Sequence, residues 1–498
     1  MPISEKKGGV ILSYIQMVSN VLVKFLYTPF LLRALGQNEY GLFSLVMSIV
    51  GYLAILDFGF GSAVTRFTVK YNTEDDKTNL YRLYGTVSVI YILIGILALA
   101  VCCLLAFYTP QLFSSTMTGE EVSKIRIMML LCGINLLFTF PLQISASVLV
   151  AYEKFIFKNA IYLIRIYLQP AILILLLYLV HIKSVEAIAV VTLFNLLTYL
   201  AFYIYSVKKL DFRFSLKCFD PKMIKGLLAF SVWMFLVSVF DAFQYNSGQF
   251  IIGLFQGSNV VAVWGIAMIF ILNYRSLSTA ITNVFLPSYI SNTFKRDNET
   301  IQKATFKVTR LQAYVLFFIL ANFILFGQYF IDMWAGESYH EAFKVALIVM
   351  VPMTFALLLD FSYLLQIATN RLEFRIITLF AGFIISFLIV YYLLGISLVT
   401  YAYVMAGSIV IGQILSVVYY IKRHLDISLA SVLKKISPIV ITTFILTAVT
   451  FYIVNWIPVS IGAFLAEVIL FNILFFILHW RFTLSEEEKG MMLKVIRK

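Results

Sequence analysis

Long apolar runs follow one another along this chain with little between them. The stretch Gly85 to Tyr108 holds no charged side chain, and neighbouring runs are of similar length. At about 1.5 Å per residue, roughly 20 such residues cross a hydrocarbon layer of about 30 Å. Inside hydrocarbon every backbone polar group has to be satisfied within the protein, so only helices or a closed barrel can cross. Barrel strands would be about 10 residues long with alternating polarity, which these runs are not. The expectation is therefore an all-α integral membrane protein. Composition agrees: 61% of residues are hydrophobic and 13% charged, against about 25% charged in soluble domains.

Apolar runs separated by charged or Pro/Gly-bearing turns predict about fourteen transmembrane helices. They fall near residues 11–33, 41–69, 82–108, 124–150, 158–180, 185–207, 225–254, 259–292, 309–331, 342–367, 374–395, 398–421, 436–456 and 459–480. The first follows Lys6 and Lys7 like a leader peptide, but it is too long for one and lacks a small-residue cleavage site, so it is read as retained. Connecting segments are short, which leaves no room for an inserted soluble domain.

Lysine and arginine alternate between the two sides. One set of loops holds Lys6 and Lys7, then Lys70, Lys77 and Arg82, then Lys154 and Lys158, then Lys208, Lys209, Arg213, Lys217, Lys222 and Lys225. It continues through Lys295, Arg296, Lys303, Lys307 and Arg310, through Arg371 and Arg375, and through Lys422, Arg423, Lys434 and Lys435 to the tail from Arg481. The other set carries only Arg33, Lys124, Arg126, Lys183 and Lys344, beside acids such as Glu120, Glu121, Asp332, Glu337 and Glu341. Positive charge stays inside, so both termini are expected in the cytoplasm. The same distribution explains the net charge of +13 without nucleic acid, since no basic, aromatic-interleaved module is present to hold a strand. Loop cations near anionic lipid add attraction of about 1 kcal/mol each.

Cys102, Cys103, Cys132 and Cys218 show no disulfide or metal spacing and read as packing groups. His181, His340, His424 and His479 are far apart and suggest no metal cluster. Phosphate-loop, nucleophile-elbow and HExxH patterns do not occur, so no cofactor or metal is expected and no catalytic site is visible.

What remains charged inside the spans carries the functional signal, because an ionised group at mid-bilayer costs a few kcal/mol unless it faces a cavity or a partner. The candidates are Lys24, Asp57, Arg66, Arg165, Asp241, Arg275, Asp360 and Glu467. Lys24 and Arg275 lie deepest and favour a cavity-facing role. Arg66 and Arg165 lie within two turns of cytoplasmic ends, where snorkelling to the headgroups is the alternative. For Asp57 and Asp241 the alternative is a structural ion pair or a cap on a broken helix. On one continuous helix Asp57 and Arg66, nine residues apart, would point to opposite sides, roughly 180° around and about 13 Å along the axis. Gly59 and Gly61 between them ease a bend.

A cavity with more deep bases than acids suits an anionic passenger. The basic link KKLDFRFSLKCFDPKMIK, from Lys208, falls between the sixth and seventh spans and suggests a division into 1–210, 211–430 and a C-terminal pair with its tail, 431–498. Lys24 with Asp57 in one half and Asp241 with Arg275 in the other form a faint echo, as in transporters built from repeats.

The segment LLRALGQNEYGLFSLVMSIVGYLAILDFGFGSAVTRF, with a first-loop LG, then YGLF, then D-F-G-x-G-x-x-x-x-R, resembles the polysaccharide and O-antigen flippases of the multidrug/oligosaccharidyl-lipid/polysaccharide (MOP) exporter superfamily. YRSLSTAITNVFLPSYIS is similar to that superfamily's eighth-helix region. The resemblance implies a V-shaped pair of six-helix bundles around a cationic lumen, plus a C-terminal helix pair offering a groove for a lipid tail. It implies a bacterial inner-membrane flippase that moves undecaprenyl-diphosphate-linked oligosaccharide, such as an O-antigen repeat unit of lipopolysaccharide, to the outer leaflet. Its partners would be that lipid-linked oligosaccharide, membrane lipids and other polysaccharide assembly proteins. Carried over by position, Lys24, Arg66 and Arg275 would meet the diphosphate, with Arg165 added from its depth. Asp57 and Asp241 would balance charge or couple transport to an H+ or Na+ gradient. The rivals are a drug antiporter of the same fold, which would use acids for cationic cargo, and a polysaccharide polymerase or ligase, which would carry a large external loop.

Overall fold

A computed structural model describes residues 5–210, 212, 218–295, 298–368, 371–392, 397–424, 428–454, 456 and 460–490. Arg213, Lys217, Arg296 and the last eight residues of the tail lie outside them, as do the side chains of Lys6, Lys7, Lys225, Pro287, Lys295 and His424. Every regular element among the described residues is helical. The chain packs as two compact units, Met1–Gly265 and Ile266–Lys498.

The first unit begins with α1 (Glu5–Leu53), a run kinked at Gly36, where φ is +80°. A 3-10 turn over Ala54–Asp57 follows, then α2 (Phe60–Thr73), α3 (Lys77–Phe113), α4 (Gly119–Ala151), α5 (Phe155–Leu179), α6 (Ser184–Lys209) and α7 (Pro221–Gln256). α8 (Ser258–Lys295) starts in this unit and continues into the next. Several starts are set by local chemistry. Asp76 caps α3 by accepting from the Asn79 amide at 3.0 Å, Thr118 and Glu121 form a capping box on α4, and Asp220 caps α7 ahead of Pro221. α4 sits at the centre, packed on α3 and α6. It approaches α3 so closely that a Cβ on Gly95 would lie 2.9 Å from the Leu137 carbonyl oxygen. Tyr84, Tyr91 and Phe140 are buried there.

The second unit holds the rest of α8 and α9 (Asn298–Trp334), α10 (Glu341–Leu358), α11 (Phe361–Ala368), α12 (Glu373–Tyr392), α13 (Leu398–Ile409), α14 (Leu415–His424), α15 (Leu429–Val454) and α16 (Ile461–Phe482). The span expected at 342–367 is broken at Leu359–Asp360 into α10 and α11. The one expected at 398–421 contains a π-helical turn, Val410–Ile414, between α13 and α14. The Thr378 hydroxyl of α12 donates to the Gly412 carbonyl in that turn at 2.8 Å, taking up a group that the wide turn leaves loose. Ala321, Phe326, Leu446, Phe471 and Phe475 bind α9, α15 and α16 together.

Among the described residues twelve helical runs are long and apolar enough to cross a membrane. The first, Ile11–Thr73, is 63 residues long and covers both spans expected at 11–33 and 41–69. Over the seventh expected span lies α7, a helix of 36 residues. The all-helical, multi-pass architecture read from the apolar runs is what the structure has.

Candidate functional site

Lys24 lies in the middle of the first apolar stretch of α1 and is exposed. At about 100° per residue, the exposed apolar side chains Ile11, Ile15, Val18, Leu22 and Leu26 fall on one side of the helix. Lys24 and the exposed Asn20, one turn earlier, fall on the roughly opposite side. The apolar side is what a helix turns to lipid, so Lys24 and Asn20 face away from it. Among the described residues the Lys24 ammonium makes no hydrogen bond and no ion pair. Its backbone carbonyl accepts from the Thr28 hydroxyl at 2.7 Å.

The D-F-G stretch is a true break in the helix. After the 3-10 turn that ends at Asp57, Phe58 and Gly59 both take left-handed backbone, with φ of 52° and 72°, before α2 resumes at Phe60. Glycine accepts that conformation freely, while phenylalanine pays about 1–2 kcal/mol for it. The Phe58 ring recovers part of this by stacking on Phe235 of α7, with centroids 4.1 Å apart. Asp57 therefore does not share a continuous helix with Arg66. Its carboxylate turns to the start of α2, where the Gly59 and Gly61 amides donate to it. It also accepts from the Tyr91 hydroxyl at 2.6 Å and the Gln143 amide at 3.1 Å. Of the roles weighed for Asp57, capping a broken helix is one that it performs.

Arg165, half-buried on α5, donates to Gln169 at 3.1 Å and to Asn195 of α6 at 2.8 Å. Asn195 passes the network on to Asn135 and Thr139 of α4, each at 2.8 Å. Tyr162 and Tyr199 share a hydrogen bond beside Arg165, and Tyr199 lies within electrostatic reach of Asp57 and Tyr91. A polar seam thus crosses the first unit from the helix break to α5 and α6. It gathers Asp57 and Arg165 and leaves out Lys24.

Arg66 is exposed on α2, and Asp241 is half-buried on α7. In the second unit Arg275 is half-exposed on α8, and Asp360 sits at the α10–α11 break, where Thr282 donates to it at 3.5 Å. Glu467 is half-exposed on α16. Reading charges alone missed Tyr91, Gln143, Asn195 and Asn135. The last three carried a usable signal, an amide set inside an apolar run, where such side chains bond between helices.

A second polar group in the first unit lies at the ends of the helices opposite the basic loops. Glu39, buried, accepts from the amide and hydroxyl of Ser184 and from Lys124. Glu121, also buried, accepts from Thr118 and from Ser258 at the start of α8. Here α1 and α8 meet backbone to backbone: a Cβ on Gly41 would collide with the Ser258 carbonyl.

The fold is shared with known transporters. A structure titled lipid II flippase MurJ in an inward closed conformation matches with a TM-score of 0.71 and 14% identity, over 94% of this chain and 97% of that one. An inward-facing multidrug resistance MATE family transporter of the MOP superfamily matches with a TM-score of 0.61 and 15% identity, over 86% and 99%. These likenesses define the class, a multi-pass helical membrane protein with the fold of MurJ and the MATE transporters. Within it, a family model described as polysaccharide biosynthesis protein matches residues 6–294, and the chain belongs to that family. The resemblance read from the D-F-G segment is borne out at this level. The uncharacterized membrane protein EpsK of Bacillus subtilis (strain 168) is 21% identical over 325 residues, 64% of this chain. That match spans 63% of the relative's own length.

Proposed function

We propose that this protein is a flippase for undecaprenyl-diphosphate-linked oligosaccharide, of the O-antigen repeat-unit kind, working by alternating access along a cationic path. It acts in a bacterial inner membrane with both termini in the cytoplasm, as a transporter rather than an enzyme, alongside other polysaccharide assembly proteins. Family membership supports the substrate class. The observation that carries the reading is Lys24: a cation at mid-span, exposed on the helix side turned from the apolar face, with no ion pair to an acid among the described residues.

The physical task fits. A sugar headgroup cannot cross hydrocarbon bare, because each unsatisfied polar group costs several kcal/mol. A lined, hydrated path removes that barrier while the polyprenyl tail stays in lipid. Lys24, Arg66 and Arg275 supply charge-assisted bonds to the diphosphate, and arginine can offer paired donors to phosphate oxygens. Arg165, tied into the seam, would act on the passenger through Asn195 and Tyr199 rather than by direct contact. Moving two uncompensated negative charges outward gains about 4.6 kcal/mol per 100 mV of inside-negative potential. Asp57 and Asp241 are the proposed seats of H+ or Na+ coupling or of charge balance; no cofactor is needed.

Translocation of lipid-linked oligosaccharide in sealed vesicles tests this, comparing the intact protein with Lys24→Ala and Arg275→Ala at equal insertion. The intact protein should move the lipid and both variants should move it at least about tenfold more slowly. Expulsion of a cationic dye with no movement of the lipid would instead establish a drug antiporter.

A further inference from the structure

The second unit contains a cleft that none of the deep charges explains. Past α11 the Arg371 amide donates to the Gln366 carbonyl at 2.9 Å, and α12 starts at Glu373. Phe374, one residue on, stacks on Tyr419 of α14 with ring centroids 3.7 Å apart and planes 24° from parallel. Between α12 and α14 lies a cleft of about 340 Å³ lined by Gln366, Arg371, Glu373, Phe374, Ser416, Tyr419 and Tyr420. Small-molecule sites begin at about 300 Å³.

Among the described residues, one buried hydroxyl in the cleft wall lacks a partner, and so does one buried nitrogen just behind the wall. Ser416, which lines it, is 1% exposed, and its hydroxyl has no partner among the described residues. Arg375, next to Phe374, is 4% exposed, with its guanidinium 3.9 Å from the Tyr363 ring centre and its Nε without a partner among the described residues. Buried polar atoms are nearly always bonded, so the Ser416 hydroxyl in the wall is a group that a ligand entering the cleft would satisfy. The π-helical turn Val410–Ile414 directly precedes the wall residues of α14, and such turns concentrate at functional sites.

The lining selects the ligand. A bare anion would meet Arg371 but also the Glu373 carboxylate. A lipid tail would leave arginine, glutamate, glutamine and serine facing hydrocarbon. A neutral polyhydroxyl ring satisfies every part of the wall: its hydroxyls both donate to Glu373 and accept from Arg371 and Ser416, and its apolar face lies on the tyrosine and phenylalanine rings. We propose that this cleft is a sugar-ring subsite that takes one neutral pyranose. That the ring belongs to the transported cargo rests on the function proposed above; that the cleft binds a ring does not.

The test uses the full chain in lipid nanodiscs and saturation-transfer NMR, with methyl β-glucopyranoside, methyl β-galactopyranoside and N-acetylglucosamine as probes and inorganic phosphate as competitor. At least one ring should receive saturation with an apparent Kd of about 1–10 mM, the range of a few weak contacts. Tyr419→Ala and Ser416→Ala should each weaken it about tenfold or more, and Glu373→Gln less, while phosphate leaves it unchanged. Tyr419 is 38% exposed, so its truncation spares the core, and a melting curve for each variant checks the fold. Absence of transfer to all three rings, transfer that both wall variants leave intact, or displacement by phosphate overturns the proposal. The readout is binding alone, so a flippase that fails in vesicles does not decide it, and a cleft that stays empty leaves the flippase reading standing.

Discussion

Lys24 and Arg310 are both cations on long membrane helices, and the structure engages them to opposite degrees. Arg310, on α9, grips Glu488 with two parallel bonds of 2.8 and 2.9 Å. It also donates to the carbonyls of Lys435 on α15 and Thr483 just past α16, at 2.8 and 2.6 Å. It is a clamp on three segments, and its charge is fully engaged by the protein itself. Lys24 has no such set. A base that the fold has already neutralised has little left for a passenger, whereas an unengaged one at mid-span keeps its attraction for an anion. Counting deep bases therefore says less about cargo than asking which of them the protein has already satisfied.

The contrast breaks first at Arg310. Arg310→Ala would strip two bonds from the Glu488 carboxylate and one from each of two carbonyls and leave a half-buried acid without its base, at a cost of about 3–5 kcal/mol. It should lower the melting temperature sharply while translocation per folded molecule is kept, and Arg310→Lys should restore only part of the loss because an ammonium cannot form the fork. An unchanged melting curve would remove the clamp. Lys24→Ala should do the reverse. Stability should hold within about 0.5 kcal/mol, while translocation falls about tenfold to a hundredfold, as for one charge-assisted contact of about 1.5–3 kcal/mol. A variant that melts early instead would make Lys24 structural.

Asp57 sharpens the comparison from the acidic side. Tyr91→Phe removes one hydroxyl from a carboxylate that keeps Gln143 and the glycine amides, so about 1.5 kcal/mol, the low end for a bond to a charged group, should be lost. Gln143→Leu combined with it should cost more than the sum of the two, measured as a double-mutant cycle. The smallest effect concerns acid. Burial pushes the Glu488 carboxyl up, but the bonds from Arg310 and the Ser485 amide outweigh it and hold the group below its ordinary 4.5. A depressed carboxylate contributes stability that is present above the ordinary value and lost as pH falls through the folded one. Melting temperature should drop as pH is lowered below that value, and Glu488→Gln should flatten that part of the profile.

Much of the architecture was written in the apolar runs, since a run of that length in a chain this poor in charge has few alternatives to a helix. The breaks were less legible. Gly59 announced a bend near Asp57, but the left-handed Phe58 depends on a ring of α7 far along the chain. The π-helical turn leans on Thr378 in another helix, and nothing local in VIGQI marks it. The same holds for the site. Asp57 and Arg165 stood out because charge is rare in a span, whereas Tyr91 is one of 30 tyrosines and becomes notable only once α3 brings it to within 2.6 Å of the carboxylate.

That π-helical turn sets a phase. One surplus residue turns all that follows on the same axis by about 100°, so Ser416, Tyr419 and Tyr420 look where they do because of one residue in the turn that precedes them. Removing it would keep these three wall residues and their chemistry yet point them elsewhere. The reading frame of one helix would then decide what that face of the protein can hold, much as a single missing tooth resets a gear.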